Sequence, residues 1–299
     1  MAAGRDFLGS YRLVRLIRAG ATCQVWEAVH DSTGNRVAIK ALQPEIRTDR
    51  VEIAYLRHEL EVGHDLDHPN VIQVYDFHTD REIPFLVLEL STARNMKLRL
   101  RDGLDQIAYF VPTIIQQAGQ GLGYFHEQGW VHRDVKPDNF LVDDKGNVKL
   151  IDFALALKQR TGIGRLMPSK VKVQGTRSYM APEQIRGKAV DARADLYSFG
   201  CLVYELLAGK PPFTASTPEE LLRKHLYSPA PSVTTVNDNV TSDFNQLILQ
   251  AMAKSADDRP QSLLEFTELA AKTRLFRRFP KNPLSEITEA TSTDKESTE

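Results

Sequence analysis

Two short apolar runs on either side of a turn constrain this chain more than any other stretch. Residues 140–142 are Phe-Leu-Val, residues 143–147 are Asp-Asp-Lys-Gly-Asn, and residues 148–151 are Val-Lys-Leu-Ile. Apolar runs that flank turn-forming residues predict a β-hairpin. Because the two ends of a hairpin lie side by side, we expect Asn139 at one end to meet Asp152 at the other.

Polar side chains with acid-base and ligand chemistry surround this predicted hairpin. Asp134 and Lys136 precede it, within the sequence His-Arg-Asp-Val-Lys-Pro-Asp-Asn of residues 132–139. Asn139 and Asp152 offer amide and carboxylate oxygens, and Mg²⁺ prefers such hard oxygen ligands. The sequence therefore predicts a carboxylate, Asp134, that can act on a hydroxyl proton beside a magnesium ion.

These residues closely resemble the catalytic loop and metal-binding strand of the eukaryotic-type, bacterial-like serine/threonine protein kinases. Asn139 follows Asp134 by five residues, which is the family's spacing. By this resemblance Asp134 is the catalytic base, and Asn139 and Asp152 are the metal ligands. Lys136 resembles the lysine that neutralises the transferring phosphoryl group in the serine/threonine type.

The resemblance covers roughly residues 8–275 and implies an α+β, bilobal protein-kinase-like fold. The expected N-lobe, residues 8–88, is a small antiparallel β-sheet with one main helix. A hinge over residues 89–93 leads to a larger, mostly helical C-lobe over residues 94–279. The Ser/Thr/Glu-rich tail, residues 280–299, has little to bury and is predicted to be disordered.

A Val-Ala-Ile-Lys motif ending at Lys40 is a full match to a second family signature. A lysine on an apolar strand is costly to bury unless it is paired. A phosphate and a glutamate are its expected partners, and a helix predicted over residues 49–66 should supply the glutamate. Glu59 is our choice by position, with Glu52 and Glu61 as competitors.

A predicted hairpin over residues 11–29 corresponds to the family's phosphate-covering loop, G-x-G-x-x-G-x-V. Aligned on Val25, only the middle glycine, Gly20, is present, and Arg18 and Cys23 stand at the other two positions. Glycine serves there because backbone without a β-carbon can approach phosphate closely. The two replacements are expected to weaken the binding of the phosphates by this loop.

The resemblance also implies how ATP would bind. Residues 84–90 are predicted as a strand that leads into the hinge, where the backbone of Glu89 and Leu90 would hydrogen-bond adenine, with Leu88 at the gatekeeper position. The full set of residues expected to bind the nucleotide is Ile17, Gly20, Val25, Ala38, Lys40, Leu88, Glu89, Leu90, Asn139, Leu141 and Asp152.

Residues 152–183 correspond to the family's activation segment and end in Ala-Pro-Glu. Ala154 replaces the glycine of the family's Asp-Phe-Gly triplet, which predicts a metal site that persists beside a less mobile switch. Thr161 and Ser169 are the hydroxyls available for a phosphate that Arg133 could receive. Lys-Val-Lys-Val occupies the usual phosphothreonine slot, which disfavours control by autophosphorylation.

Several polar residues are expected to support the site rather than to react. Thr176 resembles a structural hydroxyl near the catalytic aspartate and lysine, and His132 should support the loop by hydrogen bonding. Asp195, on a predicted buried helix, should hold the backbone of the catalytic loop. Glu183 and Arg259 match a scaffold ion pair of the family.

Composition limits the partners. With 38 basic and 39 acidic residues, the chain has almost no net charge, so its overall electrostatic field does not favour binding to nucleic acid or to membrane lipid. Cys23 and Cys201 form neither a disulfide framework nor a metal-ligand pattern, which fits a reducing compartment. No apolar run is long enough to span a bilayer, so the chain is predicted to be cytoplasmic, either by itself or as the cytoplasmic part of a longer protein. Cys23 is interpreted either as a space-filling residue or as an oxidisable thiol near the phosphates. The basic residues 272–281 are interpreted either as the end of a solvated helix or as a site of contact with a membrane or a partner.

These features are compatible with three functions. The first is an ATP- and Mg²⁺-dependent serine/threonine protein kinase that acts on protein substrates and associates with itself transiently if it phosphorylates itself in trans. Its catalytic residues would be Asp134, Lys136, Lys40 and Glu59. The alternative is a nucleotide-binding pseudokinase scaffold, motivated by the degenerate glycine-rich loop and by Ala154. A small-molecule phosphotransferase is less favoured, because the Ala-Pro-Glu segment serves to present a peptide.

Overall fold

The structure, a computed structural model, describes residues 7–159 and 174–283. Its first part is an antiparallel sheet in which the strands are ordered β1-β2-β3-β4-β6-β5. The strands of this sheet are β1 (Phe7–Leu8), β2 (Tyr11–Ala19), β3 (Cys23–His30), β4 (Arg36–Leu42), β5 (Val74–Asp80) and β6 (Ile83–Leu88).

One long helix, α1 (Arg50–Gly63), packs against β5 and β6. It begins at Asp49, whose carboxylate accepts a hydrogen bond of 2.8 Å from the Val51 N–H and so caps the first turn. The apolar Leu56 and Val62 face the sheet and are buried. Helix α1 therefore packs on one side of the sheet, as the resemblance implied.

The second part is mostly helical and is organised around α6, whose residues from Ala194 to Leu207 are all buried. Its helices are α2 (Met96–Arg101), α3 (Leu104–Ala108), α4 (Val111–Glu127), α5 (Pro182–Ile185), α6 (Ala192–Ala208), α7 (Pro218–Tyr227), α8 (Ser242–Ala251) and α9 (Leu263–Lys272). The predicted α+β fold, a small sheet with one main helix beside a larger helical part, is confirmed.

Short strands lie where the two parts meet, and they carry the predicted hairpin. These strands are β7 (Arg94–Asn95), β8 (Trp130–Val131), β9 (Phe140–Val142), β10 (Val148–Leu150) and β11 (Leu157–Lys158). Strands β9 and β10 pair antiparallel, with Phe140 opposite Leu150. The hairpin prediction is confirmed, and β7 extends it on the side of β9.

Some element boundaries differ from what the sequence predicts. The strand predicted over residues 84–90 ends at Leu88, and the helix predicted over residues 49–66 ends at Gly63. The β-forming residues 71–76 predict a strand, but β5 begins at Val74, because Val71 instead forms an isolated bridge with Leu150. The helical spacing of apolar residues over 107–128 predicts one helix, which the structure divides between α3 and α4. Pro112 lies in the first turn of α4, the position at which a helix tolerates proline, so a new helix starts there.

Apolar side chains from both parts form one large core cluster, which includes Leu56 of α1, Leu86 of β6 and Phe199 of α6. Within the described ranges, no helix has the length and apolarity that a bilayer crossing requires. Thr161, Ser169 and most of the predicted tail, residues 284–299, lie outside the described residues.

Candidate active site

Lys40 of β4 meets two carboxylates from other elements. Its Nζ lies 2.6 Å from Glu59 Oε2 on α1 and 3.2 Å from Asp152 Oδ1, just after β10. The Glu59 side chain is only 2% exposed. Of the three candidate glutamates, Glu59 is the one that contacts Lys40, and the Glu61 side chain is 72% exposed and pairs with His58. Sheet, helix and hairpin therefore converge on one ammonium group.

This ion pair sets the charge states at the site. Burial lowers the pKa of Lys40, but the charges of Asp152 and Glu59 outweigh burial and raise it above its ordinary value. Burial raises the pKa of Asp152, but the nearby Lys40 ammonium outweighs this and lowers it to about 2. Both groups are therefore ionised at neutral pH.

The Asp134 carboxylate is held by four hydrogen bonds. Its Oδ1 accepts from the backbone N–H and the hydroxyl of Thr176, both at 2.8 Å. Its Oδ2 accepts from Lys136 Nζ at 2.6 Å and from Asn139 Nδ2 at 3.3 Å. Lys136 Nζ also donates to Thr176 Oγ1 at 2.8 Å. Thr176 thus has the supporting position expected of it, and the carboxylate has a fixed direction.

Asn139 joins this carboxylate to the hairpin. Its side-chain Nδ2 donates to the backbone carbonyl of Asp134 at 2.9 Å. Its backbone carbonyl accepts from the N–H of Ile151, one residue before Asp152, also at 2.9 Å. No residue in the described ranges donates to Asn139 Oδ1, so this oxygen remains open to a ligand. An open amide oxygen near an ionised carboxylate fits a hard cation such as Mg²⁺.

The described residues contain no group of three or more His, Cys, Asp or Glu side chains that could hold a metal ion. A cation at this site would therefore rely on one amide, Asn139, one carboxylate, Asp152, and water or substrate oxygens. Mg²⁺ commonly keeps several waters and binds with one or two carboxylates plus phosphate oxygens.

Two residues with positive φ lie in the loop of residues 132–139 and just after the hairpin. Arg133 has φ 68° and Asp152 has φ 69°, in the left-handed region that non-glycine residues rarely adopt. Asp195 of α6 accepts hydrogen bonds from the backbone N–H groups of His132 at 2.7 Å and Arg133 at 2.8 Å. Ala154 is not among the residues with positive φ, so its β-carbon is compatible with the local backbone.

Residues 89–93 and Leu141 of β9 line a cavity of about 540 Å³ together with Gln117 and Lys149, and neither Lys40 nor Asp152 is among its lining residues. The Glu89 N–H donates to the Gln73 carbonyl at 2.9 Å, and its carboxylate pairs with Lys149 Nζ at 2.9 Å. Within the described part of the chain, the Leu90 N–H donates to no protein acceptor. The Leu90 N–H, just after the end of β6, therefore lies close to Leu141 of β9.

The remaining expected nucleotide-binding residues lie on the sheet. Ala38 pairs with Leu88 across β4 and β6, and Val25 pairs with Lys40 across β3 and β4. Ala38 and Leu88 are buried, and Ile17 of β2 is 40% exposed. Gly20 lies in the turn between β2 and β3, and its N–H donates to the Cys23 carbonyl at 2.8 Å.

The thiol of Cys23 is not activated. Burial is the largest influence on its pKa and raises it, although Lys40 acts in the opposite direction. An oxidisable thiol needs a lowered pKa, so the hypothesis of a redox-sensitive Cys23 loses its physical basis. Cys23 pairs with Leu42 across β3 and β4, two residues from Lys40, so the turn lies near the ion pair.

Two histidines near the site were not identified from the sequence. The ring of His58 on α1 lies 2.8 Å, through Nε2, from the carbonyl oxygen of Ala156. His126 of α4 contacts Asp195 Oδ2 through Nε2 at 2.8 Å. Both partners are distant in sequence, so no local pattern could have revealed them.

The expected scaffold ion pair is present. Arg259 Nη1 donates to Glu183 Oε1 at 2.7 Å, and Arg259 Nη2 donates to Glu183 Oε2 at 2.9 Å. The arginine side chain is completely buried. This bidentate pair anchors the start of α5 to the residues before α9.

Comparison with known proteins agrees with this geometry. The sequence model of the protein kinase domain matches residues 11–272. A probable serine/threonine-protein kinase of Streptomyces coelicolor is 33% identical over 266 residues, which cover 88% of this chain and 39% of the relative. The DNA damage-responsive serine/threonine-protein kinase RqkA of Deinococcus radiodurans is 34% identical over 280 residues, covering 92% of this chain and 41% of the relative.

The serine/threonine-protein kinase PknA of Mycobacterium tuberculosis is 33% identical over 291 residues, which cover 93% of this chain and 64% of the relative. The chain therefore spans about two fifths of the length of the first two relatives and less than two thirds of this one. The family match extends over most of the chain and includes every residue of the site described above. The chain belongs to the protein kinase domain family.

Proposed function

We propose that the protein is a serine/threonine protein kinase, which transfers the γ-phosphoryl group of ATP to hydroxyl groups of protein substrates. The observation that carries this proposal is the contact of Lys40 with Glu59 at 2.6 Å and with Asp152 at 3.2 Å. This places a charged ammonium and an ionised carboxylate together at the junction of the sheet and the helical part. The names of the relatives, all serine/threonine-protein kinases, support the same activity.

In the proposed reaction, the hydroxyl oxygen of a substrate serine or threonine forms a bond with the γ-phosphorus. The bond from that phosphorus to the β,γ-bridging oxygen breaks, and ADP leaves with the bonding electrons. The hydroxyl proton passes to the Asp134 carboxylate, which acts as general base. Thr176 and Lys136 hold that carboxylate in place through hydrogen bonds of 2.8 Å and 2.6 Å.

Positive charge offsets the charge of the transferring group. Lys40 would contact the phosphates while Glu59 holds its ammonium, and Lys136 would face the γ-phosphoryl group. Asn139 and Asp152 would hold Mg²⁺, which would neutralise the negative charge of the phosphates. The open Asn139 Oδ1 and the lowered pKa of Asp152 support this assignment.

The nucleotide base would lie between the hinge and the sheet. The free N–H of Leu90 and the carbonyl of Glu89 are the proposed partners of adenine, with Leu88 as gatekeeper. The other residues proposed to line the nucleotide site are Ile17, Gly20, Val25, Ala38 and Leu141.

Members of this family act on protein substrates. We place serine and threonine side chains of proteins as the acceptors here, and a second copy of the chain as one such substrate if phosphorylation in trans occurs. Both cysteines are free thiols, which fits the reducing, ATP-rich cytoplasm.

A pseudokinase scaffold is the less supported alternative. It was motivated by Arg18, Cys23 and Ala154, yet Ala154 strains no backbone and the relatives are all named as kinases. The polar residues that the reaction needs are all present. We therefore retain the enzyme as the proposed function.

Transfer of labelled γ-phosphate from ATP to a generic protein tests the proposal. We expect incorporation with the wild-type protein and a loss of at least about a hundredfold with Asp134→Asn, which cannot accept the proton. Equal incorporation by both proteins would mean that the phosphate transfer does not depend on this site, and a wild-type protein without transfer would favour the scaffold.

A further inference from the structure

The turn between β2 and β3 is held by a residue outside the motifs. Gln43 directly follows β4 and is three residues beyond Lys40. Its side-chain Nε2 donates to the Gly20 carbonyl at 2.5 Å and lies 3.4 Å from the Ala21 carbonyl. Its backbone N–H donates to the Thr22 carbonyl at 2.9 Å. One residue thus binds three consecutive carbonyls of the turn.

These contacts determine which way the turn's N–H groups point. In a trans peptide unit the C=O and the following N–H point in opposite directions, and the described residues contain no cis peptide bond. With the carbonyls of Gly20, Ala21 and Thr22 directed at Gln43, the N–H groups of Ala21, Thr22 and Cys23 are directed away from it. A row of such N–H groups is a means of binding an anion.

The turn also lies beside the proposed phosphate-binding groups. Across β3 and β4, Val25 pairs with Lys40 and Cys23 pairs with Leu42, so the turn lies within two strand positions of the lysine in the ion pair. Two of the three glycines that let such a loop approach phosphates closely are replaced, by Arg18 and Cys23. With β-carbons at these two positions, the backbone N–H groups can meet phosphates only if the turn is held in a suitable orientation.

We propose that Gln43 is a positioning residue for the phosphates of a nucleoside di- or triphosphate: its carboxamide fixes the turn so that the backbone N–H groups of residues 21–23 face the phosphates. The inference rests on the proposed function, because it concerns the same nucleotide site. It assigns to Gln43 the orientation of a turn that has no glycine at positions 18 and 23.

Isothermal titration calorimetry of wild type, Gln43→Ala and Gln43→Met with ATP, ADP and adenosine tests this role. Gln43→Met retains the length and packing of the side chain but has no donor. We expect both variants to bind ATP and ADP between about threefold and tenfold more weakly, which corresponds to one lost hydrogen bond. Binding of adenosine, which has no phosphate, should remain within about twofold.

Gln106→Ala, an exposed substitution on α3, is the matched control and should bind all three ligands as the wild type does. Thermal unfolding of each variant identifies loss of fold, which would weaken adenosine and ATP alike. ATP binding by Gln43→Met at the wild-type affinity, or equal weakening for adenosine and ATP, would contradict the inference. If the wild type binds neither ATP nor ADP, the proposed function itself fails and this role of Gln43 fails with it.

Discussion

His225 of α7 is a buried titratable residue that takes no part in the proposed chemistry. It is completely buried, its Nδ1 lies 3.0 Å from the Tyr197 hydroxyl, and its ring is 4.9 Å from that of Phe213. Burial, assisted by the positive charge of Lys254, lowers the pKa of His225 to about 4. The neutral imidazole is therefore the form that the folded protein accommodates.

This histidine should make stability sensitive to acid. Its pKa is about 6.5 in an unfolded chain and about 4 in the folded protein. The unfolded state therefore binds more protons as the pH falls from about 6.5 to about 4, and the free energy of unfolding decreases by up to about 1.4 kcal/mol per pH unit. Between pH 7 and pH 5 we expect His225 to account for a loss of about 2 kcal/mol.

Urea unfolding at pH 7 and pH 5, for wild type and for His225→Gln, measures this contribution. The variant loses a hydrogen bond at both pH values, so the informative quantity is its change between them. That change should be smaller than in the wild type by about 2 kcal/mol. An identical pH dependence in the two proteins would show that His225 is not the group responsible.

At the scale of residues, the sequence predicted the groups whose chemistry is distinctive. Lys40 and Asp134 stood in recognisable patterns, whereas Glu59 was selected over its neighbours only by position. Gln43 and His58 could not be predicted, because a single polar residue after a strand or on a helix gives no signal. Their roles depend on partners brought close only by the fold.

At the scale of elements, the position of α1 depends on a glycine at its end. A β-carbon on Gly63 would lie 2.4 Å from Val74 Cγ2 and 3.0 Å from Phe153 Cδ2. The first distance is closer than any β-carbon tolerates and the second is unusually short, so α1 can approach β5 and Phe153 this closely only because Gly63 has no side chain. Glu59 lies one turn earlier on the same helix, so a shift of α1 would disturb its contact with Lys40.

Gly63→Ala should therefore reduce stability and activity. Alanine favours the helix by about 1 kcal/mol, but overpacking costs about 1–3 kcal/mol, which leaves a net loss of up to about 2 kcal/mol. Displacement of Glu59 should lower kcat for phosphate transfer by between about tenfold and a hundredfold. Thermal unfolding and initial-rate kinetics measure the two effects.

Gly123→Ala on α4 is the matched control, because its β-carbon would have its nearest neighbour, Leu263 Cβ, at 3.7 Å. We expect this variant to keep full activity and to gain up to about 1 kcal/mol. If Gly63→Ala were as stable and active as Gly123→Ala, close packing at Gly63 would not be what positions α1.

Elements with a clear period and a flanking turn could be predicted from sequence, including the hairpin of β9 and β10 and the strand that carries Lys40. Boundaries were less predictable where tertiary contacts decide them. Val71 is apolar and β-forming, yet its partner is Leu150 of the hairpin rather than β6. Such pairing depends on the assembled fold, so the local sequence alone does not predict it.

At the scale of the whole molecule, Phe153 connects the sheet with the helical part. Its ring is completely buried and stacks on Phe125 of α4 with centroids 5.3 Å apart, while its edge meets His132 of the catalytic loop at 6.2 Å. The same ring lies against Gly63. Helix α1, the catalytic loop and the neighbouring Asp152 are therefore positioned by one side chain. The order of motifs predicted two parts that share a site, but only coordinates supply these distances.

The most direct test of the account is a crystal structure with a non-hydrolysable ATP analogue and Mn²⁺, whose anomalous signal locates the metal. We expect an anomalous peak within about 2.2 Å of both Asn139 Oδ1 and an Asp152 carboxylate oxygen, with Lys40 Nζ in contact with a phosphate oxygen. A bound analogue whose metal lies away from these two residues, with Lys40 beyond reach of the phosphates, would contradict the proposed phosphate transfer.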